Sequence, residues 1–267
     1  MALAEVNGAT IAYDEKGQDA PSFVFIHGWA CDRTFWQPQF DRLGTEYRCL
    51  NIDLRGRGES SLTPPYHTTQ AVEDVAALMK QLDFGPSVIV GHSLGGLITL
   101  LLLDRHPELV LGTILGDAPL NPQSGERIAG AGKLIRDAGT LEPAMPIVNG
   151  FYVEGTPIEV WTSTREVILD CAPEVAAGMF ENTTPFSGQM DKLIKEADKK
   201  PCMIVWRGVP AGDPEYIRDL TMFMRQDPMA GAGHFFQLEQ PEVTNALFHA
   251  FIDDVRRDPR VTVPESG

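Results

Sequence analysis

Apolar residues in this chain come in short bursts, and the bursts alternate with longer stretches of helical periodicity. Residues 9–13 and 23–26 are compact apolar runs on either side of the turn-rich Glu15-Lys16-Gly17-Gln18-Asp19-Ala20-Pro21, and both read as strands. Residues 34–43 have a helical pattern, and 49–52 form a third apolar run. From Thr69, taken as an N-cap, Val72, Val75, Met79 and Leu82 recur at helical spacing. Val88-Ile89-Val90 then suits a buried strand, and the almost wholly apolar 97–103 a buried helix. His106-Pro107-Glu108 stops that helix, and 110–115 reads as another strand. Short apolar strands alternating with helices predict an α/β fold, a mostly parallel central sheet flanked by helices on both faces.

The rhythm breaks after Asp117-Ala118-Pro119. Residues 120–200 offer helices and loops but no convincing strand. Thr156-Pro157-Ile158-Glu159 has the form of a capping box with proline at the first helical position, and Ile158, Trp161, Ile168 and Leu169 follow as an apolar stripe. A second helix is expected over 187–197, with Asp191 and Lys195 paired across one turn. The sheet resumes at 202–206, and 241–255 is a final amphipathic helix. Residues 223–229 suit a last strand, although Asp227-Pro228 weakens it. The expected organisation is a core of residues 1–119 and 201–257, a helical cap inserted at 120–200, and a flexible polar tail at 258–267.

Composition narrows the function. With 267 residues, 43% of them hydrophobic and 22% charged, the chain can bury a substantial core of the ordinary globular kind. A net charge of −15 argues against nucleic acid, which needs clustered Lys and Arg, and works against strongly anionic substrates. No stretch approaches the roughly 18 to 20 apolar residues of a membrane span. Met1-Ala2-Leu3-Ala4-Glu5-Val6 has neither the basic region nor the apolar core of a signal sequence. Cys31, Cys49, Cys171 and Cys202 are scattered without a Cys-x-x-Cys pair, so neither a zinc site nor a disulfide framework is suggested. The expectation is a cytoplasmic protein with a small-molecule substrate, no metal or other cofactor, and no nucleic-acid or membrane partner. A homodimer stays open.

The chemistry starts at Gly91-His92-Ser93-Leu94-Gly95, a Gly-x-Ser-x-Gly turn between a strand and a helix. Glycines at both ends let strand and helix approach closely while the serine takes a strained backbone conformation and projects its hydroxyl into a cleft. Serine needs a base within hydrogen-bond reach. His234, in the Gly-rich Ala230-Gly231-Ala232-Gly233-His234-Phe235-Phe236, fits best, because that loop follows the last strand. A buried carboxylate must then fix the imidazole tautomer, and two compete. Asp117 ends the strand after the elbow helix, and Asp213 lies in the loop after the next strand, the place that the order Ser, acid, His favours slightly. Backbone amides of Leu94 and Trp29 are the expected oxyanion donors; losing one such donor typically costs about 3 to 4 kcal/mol of barrier. His27, Trp29, Phe151, Tyr152, Trp161, Met179, Phe180 and Phe186 are the candidates for an apolar substrate pocket.

Four segments, in order, make the chain resemble the α/β-hydrolase superfamily along nearly its whole length. They are His27-Gly28-Trp29, the turn Asp53-x-Arg55-Gly56-x-Gly58-x-Ser60, the elbow itself, and Gly231-Ala232-Gly233-His234-Phe235 with Glu239-Gln240-Pro241-Glu242. The resemblance implies a serine hydrolase acting through an acyl-enzyme on a small, fairly apolar carboxylic ester, lactone or related acyl compound. One departure stands out. The family commonly places its acid four residues after a tryptophan, where this chain has Pro210, and this raises Asp117 against Asp213. Cofactor-independent dioxygenases that cleave 3-hydroxy-4-quinolone rings with a His/Asp dyad form a similar branch, but they tend to carry His where this chain has Leu94. Cofactor-free haloperoxidases and perhydrolases resemble the same segments.

Overall fold

The period-two alternation of the short apolar runs sorts their side chains onto opposite faces of one sheet. Val24, Ile26 and Ile89 enter one apolar layer, while Phe23, Phe25, Val88 and Val90 enter the other. The computed structural model describes residues 1–181 and 183–263. Its strands are β1 (Ala2–Val6), β2 (Ala9–Lys16), β3 (Ser22–Ile26) and β4 (Cys49–Ile52), then β5 (Ser87–His92), β6 (Val110–Gly116), β7 (Cys202–Arg207) and β8 (Arg225–Met229). The helices before the break are α1 (Gln37–Leu43), α2 (Thr68–Gln81) and α3 (Leu94–Arg105). Between β6 and β7 come α4 (Ser124–Ala138), α5 (Met145–Asn149), α6 (Ile158–Leu169), α7 (Pro173–Glu181) and α8 (Thr184–Ala197). The chain closes with α9 (Pro214–Leu220), α10 (Phe236–Glu239) and α11 (Pro241–Arg257).

The eight strands form one sheet in the order β1-β2-β4-β3-β5-β6-β7-β8, parallel from β4 through β8 and antiparallel at β1 and β2. Strand order reverses beside β3, because β4 pairs on one side of it and β5 on the other. The following helices diverge accordingly. Phe40 and Leu43 of α1 pack into one layer, and Leu97 and Ile98 of α3 into the other. A crevice opens at the C-terminal ends of β3 and β5, where ligands of open α/β sheets bind.

Several local expectations are corrected. A further strand, β1, precedes the first apolar run and turns into β2 through Asn7-Gly8, whose φ of 49° and 75° fit the strongest two-residue hairpin signal. Pro228 is tolerated because β8 is the sheet's edge strand, where a missing N–H interrupts no outer ladder. Helix α2 begins at Thr68 rather than after a Thr69 cap. The capping box does not form: the Thr156 hydroxyl donates to Glu239 Oε2 at 3.2 Å, and α6 starts at Ile158 without a side-chain cap. Asp191 accepts from the Tyr216 hydroxyl instead of pairing with Lys195. Part of the expected tail is tied down. Arg260 donates to the Asp198 carbonyl at 2.7 Å, and Val261 and Val263 pack against the core; residues 264–267 lie outside the described residues.

Close approach at the elbow explains its glycines. A Cβ on Gly95 would stand 2.4 Å from the Ile26 carbonyl oxygen and 2.6 Å from that of His27, and one on Gly91 would stand 2.2 Å from the Gly95 oxygen. Backbone cannot yield as a side chain can. Gly95→Ala should therefore lower the unfolding free energy by about 2 kcal/mol or more, read from urea denaturation. An unchanged midpoint would contradict this packing.

Candidate active site

Ser93 sits at the junction of β5 and α3 with φ 53° and ψ −116°, a conformation that an L-residue adopts only when its surroundings impose it. Its neighbours do so: Ser93 N–H donates to the Gly116 carbonyl at 2.7 Å, and its carbonyl accepts from Gly96 N–H at 3.0 Å. The side chain is partly exposed and lines a cavity of about 800 Å³. His234 lines the same cavity from the loop after β8 and is 3% exposed.

The imidazole pairs with Asp117. His234 Nδ1 lies 2.6 Å from Asp117 Oδ2, and the carboxylate is completely buried. Nδ1 is therefore the protonated nitrogen, and among the described residues Nε2 makes no hydrogen bond. Asp117 stands just past β6 at φ 39°, with its own N–H donated to the Val205 carbonyl at 2.7 Å. The loop after β7 supplies a donor to it rather than a carboxylate. Ala211 N–H donates to Asp117 Oδ1 at 3.0 Å, and Arg207 Nε stands 3.2 Å from Oδ2 without hydrogen-bond alignment, so it contributes charge rather than a bond. The slight preference for Asp213 is thereby corrected. Asp213 is exposed, and it caps α9 by accepting from Glu215 N–H and Tyr216 N–H at 3.0 and 3.1 Å.

The loop after β3 completes the wall. Gly28 passes so close to the elbow that a Cβ there would meet His92 Nδ1 at 3.0 Å and Ser93 Cβ at 3.3 Å. Among the described residues the backbone N–H groups of Trp29 and Leu94 donate to no acceptor in the chain, and both residues line the cavity. Arg57, from the turn after β4, holds this loop by donating to the carbonyls of Ala30 at 2.9 Å and Cys31 at 3.0 Å. It also reaches the Val167 carbonyl of α6 at 3.0 Å, so one guanidinium ties loop and insertion together.

The insertion presses aromatics onto the site. Phe151 stacks on the His234 ring at 4.4 Å between centroids, and its carbonyl accepts from His234 N–H at 2.7 Å. Phe180 of α7 stacks on Trp29 at 4.3 Å. The other pocket candidates stand elsewhere. His27 is a buried strut, donating from Nδ1 to the Gly28 carbonyl and accepting the Leu54 N–H at Nε2. The Tyr152 hydroxyl meets Thr164 at 3.0 Å, while Trp161 is 40% exposed beneath Arg165. Met179 and Phe186 are buried in the core. Sequence reasoning missed Arg127, Leu134 and Ile147 of the insertion and Arg207 and Phe235 of the core, all of which line the cavity. Only the helical stripe of α4 could have hinted at the first two. Among the described residues no cluster of three or more His, Cys, Asp or Glu is placed to hold a metal ion, and no helix is long and apolar enough to cross a membrane.

The sequence model described as the alpha/beta hydrolase family matches residues 23–247, which contain every residue of this site. This chain belongs to the alpha/beta hydrolase family. It is an enzyme of that fold. An Acinetobacter baylyi protein named (E)-2-((N-methylformamido)methylene)succinate hydrolase is 31% identical over 92% of this chain and 95% of its own length. RutD of Serratia proteamaculans, named as a carbamate hydrolase, is 28% identical over 66% of this chain, which spans 65% of that relative's length. A thermophilic esterase from Thermogutta terrifontis superposes with a TM-score of 0.82 over 95% of this chain and 97% of its own, at 24% identity, a likeness of fold.

Burial gives this alpha/beta hydrolase a pH dependence of its own. His27 and His92 are wholly enclosed, and desolvation pushes both imidazoles below the ordinary 6.5; for His92, whose Nε2–H donates to the His234 carbonyl at 2.8 Å, the shift is large. The unfolded chain protonates such groups below pH 6.5 while the folded one does not, so stability falls as pH drops through that value. His92→Gln, which keeps a donor, should reduce the loss of unfolding free energy between pH 6.5 and about 5.5 by about 1 kcal/mol, measured by urea titration at both ends.

Proposed function

We propose that the protein is a serine hydrolase of small, fairly apolar carboxylic esters, lactones or related acyl compounds. The observation that carries this reading is the His234–Asp117 pair at 2.6 Å, set in the cavity that Ser93 enters on a strained turn. Ser93 attacks the acyl carbon while His234 Nε2 takes its proton. Asp117 holds the imidazole and offsets the charge it acquires, and the unpartnered N–H groups of Trp29 and Leu94 receive the oxyanion. His234 returns the proton to the leaving group, then draws one from water to release the acid. Residues 120–200 act as a cap, closing the site with Phe151 and Phe180. The curated relatives are named for a carbamate and for an N-methylformamido compound, so the substrates to be tried extend beyond simple esters.

The place of Asp117, at the end of β6, favours a second reading: a cofactor-independent dioxygenase that uses the His234/Asp117 dyad on a hydroxyquinolone ring. Leu94 after the serine weighs against it.

A panel of p-nitrophenyl esters, lactones and hydroxyquinolones separates the two. Ser93→Ala should abolish ester turnover and labelling by a fluorophosphonate probe. Asp117→Asn should lower kcat by about 10⁴-fold, whereas Asp213→Ala should stay within about threefold of wild type. Oxygen uptake that survives Ser93→Ala but not His234→Ala would select the dioxygenase.

A further inference from the structure

Acidic residues outnumber basic ones 37 to 22 in this chain, yet among the described residues none of them lines the cavity. The charged side chains that do are Arg127 and Arg207. A cavity of one sign in a protein of opposite net charge is not what solubility alone produces. The bias against anions expected from the composition does not extend to the side chains that line the cavity.

The two arginines differ. Arg207 is committed, donating to the Gly150 carbonyl at 2.7 Å and lying beside Asp117. Arg127 is not: among the described residues its guanidinium meets no carboxylate and donates to no acceptor. The other cations of α4 are paired, Lys133 with Asp137 at 2.5 Å and Arg136 with Glu181 through two bonds of 2.6 Å. Arg127 also stands in the first turn of a helix, where the macrodipole disfavours a cation and adds to the positive potential. Helical spacing aligns it with Ala131 and Leu134, which line the same cavity and are apolar.

Resting on the serine-hydrolase reading above, we propose that Arg127 is a carboxylate-binding specificity residue, and that the substrate is an acyl compound whose apolar body ends in a carboxylate. The guanidinium fork takes both oxygens of such a group, and the α4 stripe takes its methylenes. Ser93 receives the acyl carbon. Arg127 is exposed enough that the preference weakens as salt rises.

The test compares mono-p-nitrophenyl glutarate with p-nitrophenyl butyrate on wild type, Arg127→Gln and Arg127→Lys. A calorimetric titration of glutarate into Ser93→Ala, with and without Arg127→Gln, accompanies it. Arg127→Gln should lower the glutarate-to-butyrate ratio of kcat/KM about tenfold, through KM, and Arg127→Lys should restore part of it. An unchanged ratio overturns the proposal. If neither ester is hydrolysed, the reading as an ester hydrolase has failed on its own account, and the titration decides. Glutarate binding weakened about tenfold by Arg127→Gln supports the anion site. Absent or undiminished binding overturns it.

Discussion

A carboxylate with no solvent exposure must be surrounded by donors, and in this protein the requirement falls on Asp117. Its partners come from different strand ends: Ala211 N–H follows β7, Arg207, which adds charge, is the last residue of that strand, and His234 follows β8. Satisfying one buried charge therefore cross-ties the C-terminal ends of three adjacent parallel strands. The bond from His234 Nδ1 to Asp117 also fixes the histidine tautomer, as the proposed serine chemistry requires. Under the proposed mechanism stability and chemistry share these atoms, so truncating a donor would leave an uncompensated buried charge as well as a misplaced imidazole.

The reversal of strand order beside β3 supplies the other half of the site. With α1 and α3 on opposite faces, the loop after β3 and the turn after β5 meet in a crevice too tight for side chains at Gly28, Gly91 and Gly95. Small residues there are steric necessities. The turn after β4 serves this crevice from behind. Gly58 lets the chain close over the Asp53 carboxylate, which accepts from Arg33 N–H at 2.8 Å and Glu59 N–H at 2.9 Å, and Arg57 holds the loop that carries Trp29. A segment that reads in sequence as a polar turn is a hub of buried hydrogen bonds.

The insertion lines much of the cavity that Ser93 enters. Its contacts with the core are specific rather than merely covering, since Phe151 lies on the His234 imidazole and Ala176 accepts the Trp29 indole N–H at 2.9 Å. The side chains that give the cavity its character are an apolar stripe and a guanidinium, whereas most of the large aromatics of this region are spent on packing.

Much of this was legible in the sequence because it is local. Strand runs such as Phe23-Val24-Phe25-Ile26, the apolar helix α3 and the glycine-flanked serine are set by period, propensity and steric demand within a few residues. His234 was legible because a Gly-rich loop after a strand is a local pattern as well. The choice between Asp117 and Asp213 was not, since both are aspartates at a strand end or in the loop beyond one. Only the pairing of β6 with β7 puts the first under His234 and leaves the second in water, capping a helix. The cavity follows the same rule. Which face of α4 lines the cavity of Ser93 depends on how the insertion docks, and that is a sum of long-range contacts no short window of residues contains.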